Sequence, residues 1–318
     1  MERANLYNPS GATVRAETTA KNGIMLVVIG AALWGIDPLF RILLLKTLTS
    51  AQLVLLEHIL LLVFALPVLW RRRSELRGLL PKHLLAMLFI GWGGSAVATM
   101  LFTSAFAHGN PNTVLLLQKI QPLFAIGMAR FVLKEALPRT FPALLIMALA
   151  GAYMLTFGLA LPVGHWAELA AWGSLLSVGA AALWGGSTVM GRLLLDRMSF
   201  ETVTAVRFVL ALPLLAAVTW TEGAPWHMPS GAVPMMATAG NLLLQAFLPG
   251  LLSLLLYYRG LSGTKASYAT LAELAFPAVG VLLNWLVFHQ PVTMPQLAGF
   301  ALIWFALYFV SREESQAP

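Results

Sequence analysis

Cysteine is absent from this 318-residue chain, and charged side chains are scarce. Without cysteine the chain has no disulfide, no thiolate metal ligand and no thiol nucleophile. Charged residues make up 10% of the chain and hydrophobic residues 59%. A soluble domain carries about 25% charged residues and about 45–50% apolar ones. The composition therefore excludes an ordinary soluble domain and is typical of a protein that lies in a membrane.

The few charges are mostly positive, with 20 lysines and arginines against 13 acidic residues. A nucleic-acid partner would need a clustered basic face in polar surroundings, whereas these basic residues lie in short gaps between apolar runs. The sequence also lacks the HExxH zinc motif, the phosphate-binding P-loop and the GxSxG nucleophile elbow. We therefore expect no nucleic-acid partner, no metal, no cofactor and no enzymatic activity.

Long apolar runs dominate the chain. A helix that spans a membrane needs about 20 mostly apolar residues, and only helices satisfy the backbone within such continuous runs. Segments of this kind lie near residues 23–45, 51–70, 84–107, 111–133, 139–160, 170–195, 199–220, 234–258, 264–288 and 295–311. The pattern predicts an all-α integral membrane protein with ten transmembrane helices.

Most lysines and arginines fall in gaps on the same side of the predicted bundle as the N-terminus. Cytoplasmic loops carry such an excess of positive residues, so both termini are predicted to be cytoplasmic. Residues 1–22 are polar and lack the apolar core of a signal peptide. We expect 1–22 and 313–318 to form cytoplasmic tails.

The pentapeptide AALWG occurs twice, at 31–35 and at 181–185, and the windows 31–70 and 181–220 align without a gap. A second alignment pairs Phe102 with Tyr257, Gln118 with Glu273, and Pro122 with Pro277. Each half then holds five helices. Because five is odd, the second half enters the membrane in the opposite sense, as in many secondary transporters. We predict two inverted repeats, at 23–160 and 161–312.

Four polar residues fall near the middle of the fourth and ninth segments: Gln118, Lys119, Gln121 and Glu273. Lys119 offers a cation, Glu273 an acceptor, and the glutamines both donors and acceptors. Ionisable groups at this depth are costly and indicate function. The set predicts a substrate site suited to a zwitterion. The alternative is a Lys119–Glu273 pair that only holds the halves together.

Aromatic residues at similar depth are predicted to line the same cavity, although each also fits plain packing or an interfacial belt. They are Trp34, Trp92, Phe102, Trp184, Tyr257, Tyr258 and Tyr268.

Glycine and proline interrupt corresponding segments, at Gly94 and Pro249 and at Pro122 and Pro277. Paired interruptions point to a transporter site, and close helix packing through small residues is the alternative.

A further ionisable set consists of Glu57, His58, Arg207 and Asp37. One interpretation is a proton-coupling carboxylate with a titratable neighbour; the other, which we favour, is an ion pair between Glu57 and Arg207. Asp37 precedes a proline and is expected to cap a helix break. Arg41 and Arg130 lie close enough to helix ends to extend to the membrane surface.

With its repeated AALWG, Pro122 and Pro277, and the segment VLKEALPRTFPALLIMALAGAYML, which carries Glu135, the chain resembles the drug/metabolite transporter superfamily, specifically EamA-type carriers. Within it, the chain is most similar to amino-acid exporters of bacterial inner membranes. The resemblance implies ten helices in two inverted repeats.

The resemblance also implies export of aromatic and other apolar amino acids by alternating access, with membrane lipids and a small-molecule substrate as partners. We expect a monomer. Export of other metabolites or cationic drugs, or a membrane interaction protein without transport, are the alternatives.

Overall fold

The computed structural model describes residues 23–159, 171–227, 229–276, 279, 282, 285–286 and 292–316. These residues are helical and contain no β-strand. The prediction of an all-α protein is therefore confirmed. Residues 1–22, Pro277 and most of the junction between the predicted repeats lie outside the described residues. Residues 313–316, predicted as part of a tail, are helical, because the helix that begins at Met294 continues to Gln316.

Seven described helices are long and apolar enough to cross a membrane. They are Gly23–Leu44 (α1), Ser50–Arg71 (α2), Pro81–His108 (α3), Thr113–Val132 within α4, Trp172–Leu195 (α6), Phe200–Glu222 (α7) and Ala232–Leu261 (α8). The whole of α4 consists of two pieces, Pro111–Gln118 and Gln121–Val132.

Three further helices lie in the described part of the chain. They are Phe141–Phe157 (α5), Ala266–Ala272 (α9) and Met294–Gln316 (α10). Apolar stretches of 10–17 residues occur in α5 and α10. A short 3₁₀ turn, Arg73–Leu76, follows α2, and another, Glu273–Ala275, follows α9.

A residue with a side-chain hydroxyl precedes and caps both α2 and α7. The two helices start 150 residues apart, at Ser50 and Phe200. The Thr49 hydroxyl accepts from the backbone N–H of Gln52, and the Ser199 hydroxyl accepts from the N–H of Thr202. Both caps satisfy an N–H that the first helical turn leaves unpaired. The duplication read from the sequence thus extends to the local signals that start these helices.

Interruptions occur in both halves of the bundle, as the glycine and proline positions predict. Gly94 lies in a π-helical segment of α3, Phe89–Val97, and Pro249 lies in one of α8, Ala246–Leu252. Pro122 begins the second piece of α4 immediately after a turn. π-Helical segments are rare and frequently mark functional sites.

The two AALWG glycines allow close contacts between the halves. A methyl group at Gly185 of α6 would lie 2.9 Å from the backbone oxygen of Gln121 at the break in α4. A methyl group at Gly35 of α1 would lie 3.1 Å from the backbone oxygen of Phe276, just after α9. Each glycine therefore packs closely against backbone of the other half.

Candidate functional site

A cavity of about 150 Å³ lies where these interruptions meet. Helices α1–α4 and α6–α8 and the end of α9 contribute to its wall. Most of the residues predicted as functional line it, namely Trp34, Asp37, Glu57, His58, Phe102, Gln118, Lys119, Gln121, Pro122, Trp184, Arg207, Pro249, Tyr257, Tyr258 and Glu273. The structure therefore brings together residues that the sequence places on eight different helices.

Glu273 is the centre of one hydrogen-bond network. Its carboxylate accepts from Gln121 Nε2 at 2.5 Å and from the Tyr257 hydroxyl at 2.6 Å. The Tyr257 hydroxyl also lies 2.9 Å from the hydroxyl of Thr188. The predicted approach of the fourth and ninth helices is thus present, and α6 and α8 join it.

Lys119 joins the same network through two glutamines. Its Nζ donates to Gln118 Oε1 at 2.8 Å, and Gln118 Nε2 donates to Gln121 Oε1, also at 2.8 Å. The Lys119 ammonium lies 3.0 Å from the centre of the Phe276 ring, a cation–π contact. No ion pair joins Lys119 directly to Glu273 in the described structure; Gln118 and Gln121 connect the two groups instead.

Two aromatic pairs contribute to the wall. The Trp34 ring is 5.1 Å from that of Tyr257, and the Trp184 ring is 5.0 Å from that of Phe102. Trp184 Nε1 also donates to the backbone oxygen of Gly94 in the π segment of α3, at 2.9 Å. Each pair joins a tryptophan of one half to an aromatic residue of the other half, so the aromatic wall follows the internal duplication.

Two aromatic residues predicted for this wall lie elsewhere. The Trp92 side chain is 43% exposed on the outside of α3, whereas Ser95 on the same helix faces the cavity. Tyr268 packs against Phe141, with ring centres 5.6 Å apart. The reason is rotation about the helix axis: Tyr268 is two residues from the cavity-lining Thr270, about 200° around the helix.

Arg41 lines the cavity, although the sequence predicts that it extends to the membrane surface. It is only 4% exposed and does not extend to the membrane surface. Its Nε and Nη2 each donate to the Asp37 carboxylate at 2.7 Å, its Nη1 donates to Thr103 Oγ1 at 2.9 Å, and Nη1 lies 3.3 Å from Glu57 Oε1. Asp37 lies one turn earlier on the same helix, and this spacing could have predicted its ion pair with Arg41.

Asp37 bonds to side chains and does not cap the break before it. The segment of α1 that follows the break, Asp37–Leu44, has no side-chain cap, and the Asp37 carboxylate accepts from Gln245 of α8 as well as from Arg41. Gln245 was not recognised in the sequence, because one glutamine in an apolar helix gives no signal of which face it occupies. We refer to Asp37, Arg41, Glu57 and Gln245 as the acidic cluster.

The ion pair expected between Glu57 and Arg207 is not formed. Arg207 donates to Ser95 Oγ at 2.6 Å and to the Tyr258 hydroxyl at 2.8 Å, while Glu57 approaches Arg41. The residue after Glu57, His58, places its Nδ1 2.8 Å from the Val54 oxygen. Correspondence in an alignment does not place two side chains in contact, because the two residues pack against different neighbours.

Outside the cavity, two carboxylates lie at helix starts. Glu135 accepts from the backbone N–H groups of Ala266 and Ser267 at 2.8 and 3.1 Å. Glu75 accepts from the N–H and hydroxyl of Ser199 at 2.8 and 2.9 Å. Partial burial would raise the pKa of Glu75, but these hydrogen bonds outweigh it and lower the pKa below its ordinary value.

Comparisons with known proteins agree with a membrane carrier. The model of the EamA-like transporter family matches residues 21–157 and 171–312. The riboflavin transporter ImpX of Fusobacterium nucleatum is 31% identical over 301 residues, covering 91% of this chain and 97% of that protein. A riboflavin transporter of Brucella anthropi is 26% identical, covering 81% of this chain and 87% of its own.

A protein of known crystal structure has the same fold. It superposes with a TM-score of 0.71 at 19% sequence identity, covering 93% of this chain and 99% of the other. At this identity the likeness concerns the fold alone.

Proposed function

Because this chain belongs to the EamA-like transporter family of the drug/metabolite transporter superfamily, we propose that its cavity carries riboflavin across a bacterial inner membrane. The chain is a multi-pass membrane protein with apolar helices of membrane-spanning length. The observation that carries the proposal is the composition of the cavity wall, in which two aromatic pairs flank a continuous chain of amide and carboxylate groups.

Riboflavin has a planar aromatic ring system, which needs flat apolar surfaces. The Trp34–Tyr257 and Phe102–Trp184 pairs supply such surfaces on two sides of the cavity. Stacking and edge-to-face contacts with aromatic rings add to the free energy gained from burial alone. An aromatic solute is therefore favoured over a purely aliphatic one.

One edge of the flavin ring carries two carbonyl groups and an N–H. Gln118 and Gln121 are suited to this edge, since a side-chain amide offers both an acceptor and two donors. They bond to each other, and Gln121 also donates to Glu273, which holds both amides at the cavity. A site that pairs each polar group of its solute rejects analogues that leave those groups unpaired.

The ribityl chain of riboflavin carries hydroxyl groups, which both donate and accept. The acidic cluster offers carboxylate oxygens at Asp37 and Glu57 and an amide at Gln245. The side-chain oxygen of Gln245 is buried and has no hydrogen-bond donor among the described residues, and Glu57 Oε1 has Arg41 Nη1 beside it at 3.3 Å. Hydroxyl groups of a polyol would donate to both oxygens.

Relatives support the same assignment, because the proteins of F. nucleatum and B. anthropi are both named riboflavin transporters. An amino acid is the second candidate, favoured by the presence of Lys119 and Glu273 in one cavity. An ammonium would approach Glu273 and a carboxylate Lys119. The two relatives do not name an amino acid, so this substrate stays a prediction.

The proposed mechanism is alternating access between two inverted repeats of five helices, at 23–160 and 161–312, with both termini cytoplasmic. Two separate matches to the family model support the division. Trp70 ends α2 and Trp220 ends α7, and they are 74% and 87% exposed, as expected for interfacial tryptophans. We propose that the solute gradient sets the direction; the export predicted from the resemblance stays a prediction.

Transport by the purified protein in liposomes tests the proposal. We expect saturable riboflavin uptake, followed by the fluorescence of the flavin. Gln121→Leu should weaken riboflavin affinity at least about tenfold, since it removes hydrogen bonds to a charged network. Gln296→Leu is the matched control, because this glutamine bonds near the start of α10 and to the Leu155 oxygen, away from the cavity.

Two results would overturn the assignment to riboflavin. One is riboflavin flux no greater than that of protein-free liposomes. The other is uptake of labelled phenylalanine that excess riboflavin does not inhibit, which would favour the amino-acid candidate.

A further inference from the structure

Two buried arginines line the cavity, and they have very different partners. Arg41 is 4% exposed and has carboxylates from both Asp37 and Glu57 beside it. Arg207 is 7% exposed, yet no ion pair joins it to a carboxylate among the residues that the structure describes. One of the two positive charges is therefore compensated locally and the other is not.

The partners of Arg207 are neutral hydroxyl groups on three helices. Its Nε donates to Ser95 of α3, and its Nη1 donates to Ser187 of α6 at 3.2 Å and to Tyr258 of α8 at 2.8 Å. The remaining nitrogen, Nη2, has no acceptor in the described structure. These hydroxyls fix the orientation of the guanidinium, but they bring no negative charge to it.

An arginine side chain keeps its positive charge in proteins, so the charge of Arg207 persists when it is buried. A buried charge without a counter-charge is strongly unfavourable. None of the described side chains beside it brings a negative charge: His58 and Phe208 carry none, and the Tyr258 ring, whose centre is 6.0 Å from the guanidinium carbon, offers only a cation–π contact. The open direction is the cavity, which Arg207 lines.

We infer that Arg207 is an anion-binding site, which takes a compact anionic group that enters the cavity and bonds to the free Nη2. The anion has two possible sources, a small inorganic anion from solution or an acidic group of the transported solute. Guanidinium groups bind carboxylate and phosphate oxygens through charge-assisted hydrogen bonds. The acidic cluster has two carboxylates for one arginine, so it would repel an anion and direct it to Arg207.

The second source leads to a substrate class. This second source rests on the proposed function. If the carrier takes flavins, a flavin with a phosphate on its side chain would place that phosphate at Arg207. The first source is independent of the transported solute.

Thermal unfolding of the purified protein in detergent tests the inorganic source. Its midpoint is compared at low and high concentrations of sodium chloride and of sodium phosphate, with the two salts matched in ionic strength. We expect chloride or phosphate to raise the midpoint of the wild type and of Arg130→Gln, a control at an exposed arginine of α4. Arg207→Gln should show no such rise, because an anion stabilises only a folded state that binds it.

Flavin binding tests the second source, measured through quenching of flavin fluorescence in a buffer low in chloride and phosphate. Arg207→Gln should weaken the binding of riboflavin 5′-phosphate at least about tenfold, with riboflavin affinity changed much less. Arg207→Lys should retain the preference for the phosphate, because it keeps the charge.

Ser95→Asp serves if Arg207→Gln does not fold. It places a carboxylate beside Arg207 Nε, where Ser95 Oγ now lies at 2.6 Å, and should remove the anion effects with the arginine still present. In the wild type, chloride should also compete with riboflavin 5′-phosphate but not with riboflavin if both anions use this site.

The inference stands if either source gives an effect that Arg207→Gln or Ser95→Asp removes. It fails if chloride and inorganic phosphate leave the wild-type midpoint unchanged and the wild type does not prefer riboflavin 5′-phosphate to riboflavin. It also fails if the response persists in both variants. Absence of binding for both flavins, with a retained chloride effect, would contradict the proposed function and leave the anion site supported.

Discussion

Single side chains in the cavity carry charges that water would otherwise solvate, and their partners decide what each substitution does. Arg41 lies between two carboxylates and bonds to Asp37 through two of its nitrogens. Removing only the arginine leaves two buried negative charges together. Removing one carboxylate as well leaves fewer buried charges in conflict.

We expect Arg41→Met to lower the free energy of unfolding by about 3–5 kcal/mol, the range for breaking one partner of a buried ion pair. Asp37→Asn in the same chain should recover part of that loss. The measurement is the thermal midpoint of the purified protein in detergent, with Arg130→Met as a control at an exposed site. An unchanged midpoint for Arg41→Met would contradict the buried pairing.

At the scale of helices, the interruptions depend on close contacts that only a small residue allows. The backbone of the break in α4 approaches Gly185 so closely that a methyl group would lie 2.9 Å from both the Gln121 oxygen and the Ala125 nitrogen. Gly127, on the second piece of α4, has nothing within 4 Å of the same added atom. These two glycines form a matched pair for mutation.

Gly185→Ala should displace α6 from the break and reduce transport strongly, because the atoms it would meet are backbone and cannot turn aside. Gly127→Ala should transport like the wild type. Initial uptake rates in liposomes at equal protein content provide the measurement. Equal loss in both variants would indicate a general effect of alanine at helix glycines instead of a contact at the break.

The positions of the helices along the chain could be predicted from the sequence. Which face of each helix points towards the cavity could not. The apolar run at 199–220 corresponds to Phe200–Glu222, and the interruptions at Gly94 and Pro249 are present, because length and helix-breaking residues act locally. The partners of Arg41 and the outward position of Trp92 depend on which neighbour each face meets. That information lies in packing between distant segments, which one sequence read along its length does not contain.

At the scale of the whole molecule, the proposed inversion predicts on which side of the membrane each connection lies. Arg73–Leu76 follows α2, and the residues around His227 follow its repeat mate α7. Inverted repeats place these two connections on opposite sides, whereas parallel repeats would place them on one side.

Cysteine labelling distinguishes these arrangements without background, since the natural chain has no cysteine. In right-side-out vesicles, a membrane-impermeant maleimide should label His227→Cys directly and Ser74→Cys only after permeabilisation. The unsubstituted chain is the control and should remain unlabelled. Labelling of both variants before permeabilisation would show that the repeats are not inverted as proposed.

The contacts of Gly35 and Gly185 have a consequence for assembly. Each half supplies a glycine against which backbone of the other half packs closely. Each aromatic pair takes one ring from each half. The interlock is non-covalent, so the molecule is built like a heterodimer whose two subunits share one polypeptide. Two separately synthesised halves would carry all the surfaces needed to associate. Either half alone would expose to the lipid the side chains that line the cavity.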